Sequence, residues 1–302
     1  MIKAQKLLWV LLAALSFQVN AAESPWWFGN YDVRVISMNK DRGPEVGMVN
    51  RLSIRHKAGD DYAVIKQSDF HIVTVNGQKI NEKDLDPQIK VLLQMSPAIA
   101  VNAEGDIVDF EDFDQLFSKV NEYFDKNSDD EKMKAFVKNF IASPEVKQMI
   151  LSKSLEFWSY WLHPYYYKDL ELNKDNHYEE TQEFMGAEIR EKVSVKKGLS
   201  QKQDGLQEVD VLRATVGDGF KRSILKAMGL VTNTMKDKAE KSIEFENAMK
   251  DASASRITRI WSRYEPNTYR PDEVILKVTN DIKAPGAKKT NRVIEKKYKF
   301  MW

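Results

Sequence analysis

The chain has 302 residues, with 46 Lys and Arg against 45 Asp and Glu, a formal net charge of +1, four His and no Cys. A chain that is 42% hydrophobic and 30% charged is neither disordered nor collagen-like. Balanced charge argues against nucleic acid as a principal partner. The lack of cysteine excludes disulfides, thiol nucleophiles, Cys-ligated zinc and iron–sulfur clusters.

Residues 1–21 read as a secretory signal peptide. Lys3 and Lys6 make a positive start, and Leu7 to Phe17 is an uncharged apolar run. Val19-Asn20-Ala21 places small side chains at the −3 and −1 positions of a cleavage site before Ala22. The run is shorter than the roughly 20 residues a membrane span needs, so an uncleaved anchor is the lesser reading. No later segment approaches a span. The expectation is a periplasmic or secreted protein with no transmembrane segment after cleavage.

The next zone, residues 22–110, reads as antiparallel strands. Tyr31, Val33 and Val35 alternate with Asp32 and Arg34, and Leu52, Ile54 and His56 alternate with Arg51, Ser53 and Arg55. That period of two marks a sheet with one wet face. Asn76-Gly77, between two short apolar runs, predicts a hairpin. Ala103-Glu104-Gly105-Asp106 predicts a second turn.

Residues 111–163 read as three helices. Phe113, Leu116, Phe117, Val120 and Phe124 recur at helical spacing behind Asp109, Glu111 and Asp112, where the helix dipole favours acid. A second helix buries Met133, Phe136, Val137, Phe140 and Ile141. Ser143-Pro144 opens a third, which carries Val146, Met149, Ile150, Phe157, Trp158 and Trp161 and is expected to stop before Pro164.

Residues 164–302 return to strands. Ala187, Ile189, Val193 and Val195 share one face, and residues 206–216 make a further strand. A helix at about 220–251 precedes three last strands, at 256–264, 273–281 and 291–302. The fold class is therefore α+β: curved antiparallel sheets packed against helices, with a helical middle zone and a helical insertion before the last three strands. Residues 22–302 can form one domain or two stacked halves.

Chemical motifs are sparse. His56, His71, His163 and His177 stand in no metal-binding spacing, and no metal or cofactor is expected. There is no Gly-x-Ser-x-Gly elbow, and no carboxylate pair stands out from the others, Glu179-Glu180 included. No catalytic residue is assigned. Ile294, Tyr298, Phe300 and Trp302 share one face of the last strand, as in outer-membrane barrels, but the helical middle zone departs from that architecture.

Aromatic residues are the distinctive feature. Trp26-Trp27-Phe28, Phe157-Trp158, Tyr160-Trp161 and Tyr165-Tyr166-Tyr167 cluster in sequence. Most must be core, because rings bury the largest areas. Incomplete cover of a sheet by helices would leave an apolar cavity lined by rings and methionines. The candidate lining residues are Phe113, Phe117, Met149, Phe157, Trp158 and Trp161.

The stretch from Met95-Ser96-Pro97 through Val101 to Gly105-Asp106-Ile107-Val108 is similar to segments of exported bacterial proteins. The order of strands and helices resembles the periplasmic lipoprotein carriers, in which a curved, incomplete barrel closes over helices and holds acyl chains. That resemblance implies a non-enzymatic protein that binds a lipid-like ligand between sheet and helices. It carries over no residue role. Two alternatives stand beside it. One is an envelope interaction module that engages a protein partner through a sheet edge or aromatic surface. The other is a hydrolase with a scattered site, requiring a His or two carboxylates with shifted pKa values.

Overall fold

Alternation of apolar and polar residues makes one face of each strand dry, and the computed structural model shows where those dry faces meet. It describes residues 25–302 except 42, 57–58, 60, 82, 84, 86–96, 112, 128–130, 132–133, 136–137, 140–157, 185–186, 203, 235–248, 250 and 284–289. The expected signal segment, the apolar face of the second expected helix, Ser143-Pro144, Met149, Phe157, and the far part of the expected helical insertion lie outside the described residues.

The strands are β1 (Asn30–Lys40), β2 (Val46–His56), β3 (Tyr62–Val75), β4 (Gln78–Lys79), β5 (Ala98–Asn102) and β6 (Ile107–Glu111). After the helical zone come β7 (Asp175–Phe184), β8 (Ala187–Leu199), β9 (Gln207–Val216), β10 (Ser253–Tyr264), β11 (Pro271–Lys283) and β12 (Thr290–Met301). The helices are α1 (Phe113–Asn127), α2 (residues 158–166) and α3 (Gly219–Thr234), with a 3-10 turn at Trp26–Phe28 ahead of β1.

All 12 strands belong to one antiparallel sheet in the order β6-β5-β3-β2-β1-β12-β11-β10-β9-β8-β7, with β4 paired to β3. The sheet is not closed, so β6 and β7 are its edges. The two β zones of the sequence thus form a single sheet, joined where β1 pairs with β12.

Val33, Val35, Leu52, Ile54, Ile65, Val193, Val195, Ile260, Leu276 and Phe300 are buried on one face, which carries the helices. Trp158, Trp161 and Leu162 of α2 pack onto it, 2%, 1% and 0% exposed. Trp26 and Trp27 of the 3-10 turn join them, with ring centroids 5.6 and 6.0 Å from that of Trp158. Both indoles at the centre find acceptors. Trp27 Nε1 donates to the Asn102 carbonyl at 2.8 Å, and Trp158 Nε1 to the Gly105 carbonyl at 3.0 Å. The β5–β6 turn is thereby tied to α2. Gly105 is required there: its φ is +92°, and a Cβ would stand 2.6 Å from Leu162 Cδ1. Trp26 and Trp27 therefore belong to the core and offer no aromatic docking surface.

Two further readings change. The third helix does not stop before Pro164 but runs on to residue 166. Proline withholds one hydrogen bond from the Tyr160 carbonyl, yet its φ suits a helix, so the last turn tolerates it. Strand β7 was not legible, because Asp175–Phe184 lacks an apolar alternation. Its inward positions face a polar cluster rather than an oily core.

Replacing Trp27 by Ala should cost about 3–5 kcal/mol, read as a lower urea midpoint at unchanged slope. A loss under about 1 kcal/mol would mean that the aromatic cluster does not hold the helix to the sheet.

Candidate functional site

Where β1 runs between β2 and β12, its inward side chains pass from apolar to polar. Val35 lies opposite Asn50 and Phe300, Ser37 opposite Met48 and Tyr298, and Asn39 opposite Lys296. A cavity of about 230 Å³ opens along this ladder. Its lining mixes the apolar Val35, Met48, Phe70, Trp161 and Tyr298 with the polar Ser37, Asn39, Asn50, Gln67 and Lys296.

A bulge builds one corner of it. The β2–β3 register shifts between Val49 and Arg51, and Asp69 adopts φ 53°. Before the bulge, Ala63, Ile65 and Gln67 point inward; after it Phe70 and Ile72 do, so the extra residue re-aims Phe70 into the cavity. On the opposite face the same bulge leaves a hollow of about 440 Å³. There Asp32 meets Arg51 at 2.9 Å and Arg55 at 2.7 Å, and those two hydrogen bonds hold its carboxyl down at about 2. That hollow's charges neutralise each other.

Of the polar lining residues, Ser37 and Asn50 are buried, each 4% exposed, and Asn39, Gln67 and Lys296 are half-buried. Asn50 Nδ2 donates to Gln67 Oε1 at 3.4 Å, a long contact that leaves both amides with capacity to spare. Asn39 Oδ1 is buried with no hydrogen-bond partner among the described residues.

Farther along the same face sits a charged cluster. Arg213 pairs with Glu180, donates from Nη2 to the Tyr167 hydroxyl at 3.3 Å, and lies 3.7 Å from Glu191. Gln182 Nε2 donates to Glu191 at 2.6 Å, and the Tyr178 hydroxyl to that of Tyr167 at 3.0 Å. Burial raises the Glu191 carboxyl above its usual range, and burial followed by the Tyr167 bond raises the Tyr178 phenol. Burial works against the Arg213 charge, but Tyr167, Glu180 and Glu191 outweigh it and keep the guanidinium charged. His163, 2% exposed on α2, is held neutral by burial and then by Arg213. This arrangement ties the edge strand β7 to β8, β9 and the end of α2. Both terminal nitrogens of Arg213 are engaged within the chain, so its first role is architectural.

Of the six residues expected at the site, Trp161 lines the cavity. Trp158, with its ring centroid 6.2 Å from that of Trp161, lies in the aromatic core. Phe113 and Phe117 meet edge to face with ring centroids 4.3 Å apart and form a separate pair on α1, next to Phe110. Met149 and Phe157 lie outside the described residues. The remaining lining comes from strands. A signal for it existed: Ser37, Asn39 and Asn50 are polar at positions that the alternation assigns to the buried face. Among the described residues no group of three or more His, Asp or Glu could hold a metal, and no helix is long and apolar enough to cross a membrane.

No protein-family model matches the chain, and no curated protein sequence matches it. Among solved structures it is similar to a lipovitellin described by its lipid–protein interactions, with TM-score 0.35 and 11% identity, over 90% of this chain and 24% of that one. The chain spans about a quarter of that protein, and a likeness at this score carries no argument about fold or function.

His163 generates a pH dependence. Below its usual value of 6.5 the unfolded chain takes up a proton that the folded chain refuses. Stability present above that pH is therefore lost as pH falls. Glu191, raised by burial, acts with the opposite sign: its contribution is present in acid and is lost as pH rises through its folded pKa. Urea stability of His163→Gln, subtracted from that of the parent at each pH, should show a gap that closes as pH drops from about 7 to about 5. A constant difference would place His163 outside the buried, neutral state.

Proposed function

We propose that the chain binds a lipid-like, amphipathic molecule between its sheet and its helices, without performing chemistry on it. The observation that carries this reading is the cavity beside Trp161, lined by apolar and polar side chains together. At about 230 Å³ it is smaller than the roughly 300–1,000 Å³ of sites that enclose a drug-sized molecule. It is suited to part of a ligand: a headgroup and the start of a chain. Each methylene placed against Val35, Phe70 and Trp161 would contribute about 0.8 kcal/mol, so no catalytic motif is needed for binding.

Export to the periplasm, or beyond the cell, belongs to the same proposal. It is supported by Lys3, Lys6, the apolar run from Leu7 to Phe17 and the small residues before Ala22.

Native mass spectrometry of protein purified from a bacterial periplasm without detergent tests both parts. The expected spectrum shows mass beginning at Ala22 plus a bound species, released on denaturation as an apolar molecule. Ser37→Leu places a larger side chain inside the cavity and should abolish that species while the protein still folds. An apo mass that stays unchanged after incubation with membrane lipids would sink the reading. A co-purifying envelope protein in its place would favour an interaction module working through the β7 edge.

A further inference from the structure

We infer that the face of the sheet turned away from the helices docks on an anionic lipid bilayer, through a charged row set between two apolar rows. This surface is separate from the cavity, and neither depends on the other. On β10, β11 and β12 the side chains of Ile260, Leu276 and Tyr298 are buried on the helix-bearing face, so their neighbours in sequence point the other way. Register lines those neighbours up across the strands. Lys192, Ala214, Ile257, Thr279 and Val293 form one row. Leu212, Arg259, Lys277, Glu295 and Lys40 form the middle row. Lys196, Asp210, Trp261, Ile275, Lys297 and Met38 form the third.

The wet face of an antiparallel sheet is ordinarily polar. Here Leu212, Ile257, Val293 and Met38 are 42%, 43%, 40% and 38% exposed, and Trp261 and Ile275 beside them are half-buried. Apolar residues scattered singly over a surface carry no meaning, but adjoining rows of them mark an interaction site. Six strands spaced by about 4.8 Å, and rows about 7 Å apart, make a patch of roughly 24 by 14 Å.

Charge selects the partner. The three rows hold Lys40, Lys192, Lys196, Arg259, Lys277 and Lys297 against Asp210 and Glu295, a local excess of cations on a chain whose net charge is only +1. Asp210 engages Arg259 at 2.9 Å and Glu295 lies 3.1 Å from Lys297, while Lys277 at the centre and Lys40 are exposed. Asp175 and Glu179, opposite Lys196 and Lys192 on β7, form the acidic border of the patch. A protein interface keeps its centre free of lysine, whereas this patch carries its charge through the middle. A bilayer surface matches that order: lysine heads meet anionic phosphates while their stems and the flanking apolar rows lie against the acyl boundary.

Vesicle co-sedimentation of the periplasm-purified protein tests this. The probes are vesicles of phosphatidylcholine with and without phosphatidylglycerol, and soluble polyglutamate. Partition should favour the phosphatidylglycerol vesicles about tenfold or more and weaken as salt rises. Lys277→Glu should lower it about tenfold, and Lys277→Arg should bind as the parent does. Ile257→Ser combined with Val293→Ser should lower it at every salt concentration, and Glu295→Gln should raise it. All variants share the parent's N-terminus, so a change in partition reports the sheet face, and circular dichroism checks that each has folded.

Absence of partition, or partition equal for the parent, Lys277→Glu and the double serine variant, would overturn the inference. Equal binding to both kinds of vesicle would overturn it as well. Polyglutamate held as tightly as the vesicles, with the serine variant unaffected, would replace the bilayer by an acidic protein. Should Lys277→Glu or the serine variant not fold, the gain expected of Glu295→Gln decides in its place.

Discussion

Pairing of the first strand with the last is the constraint on which the rest of this structure depends. Side chains alternate across a strand with a period of two, so register decides which residues share a face, and a slip of one residue would turn every one of them over. With Val35 against Phe300, Ser37 against Tyr298 and Asn39 against Lys296, the two strands present one ladder that grades from oil to charge. The strands before and after the helical zone become one sheet only through this pair. The cavity lies across that seam, lined by residues from β1, β2, β3 and β12 and capped by Trp161 of α2.

The helix-bearing face is not uniformly dry. At one end the indoles of Trp26, Trp27 and Trp158 meet edge to face or at a tilt, a geometry that places the positive ring edge on the negative ring face. Toward the other end Arg213 gathers Glu180, Glu191 and Tyr167 beneath His163. Burying those charges is tolerable because each has a partner; an isolated one would be strongly disfavoured. The Arg213 cluster engages both terminal nitrogens of the guanidinium and stiffens the edge, yet Arg213 Nε and His163 Nδ1, like Asn39 Oδ1 in the cavity, are buried with no hydrogen-bond partner among the described residues.

One inserted residue has a local effect out of proportion to its size. The bulge at Asp69 turns Phe70 inward and leaves an open hollow behind it on the other face. In the sequence it is visible only as a lapse in alternation between Gln67 and Phe70, which an ordinary polar turn could equally produce. Glu191 and Lys197 are similar cases. Both stand on the buried parity of β8 beside Ile189, Val193 and Val195, and read alone they would count as interruptions of an apolar face. Their reasons sit on other strands or beyond them: Gln182 on β7 and Arg213 on β9 for Glu191, and the Lys168 carbonyl for Lys197.

What the sequence by itself determined is local. Alternation in Asn30–Lys40, Val46–His56 and Ala187–Leu199, the Asn76-Gly77 and Gly105 turns, and the helical spacing from Phe113 and after Gly219 follow from dihedral preference and periodicity, which act between near neighbours. The ring-rich segment around Trp158 and Trp161 announced a core for the same reason. Only the tertiary structure decided that the outer thirds of the chain share a sheet, that β7 is a strand at all, and that Ser37, Asn39, Asn50, Gln67 and Lys296 line one cavity. Those facts depend on pairing between residues as far apart as Asn39 and Lys296. Such pairing is selected by the burial of whole faces, and no window of sequence contains both partners.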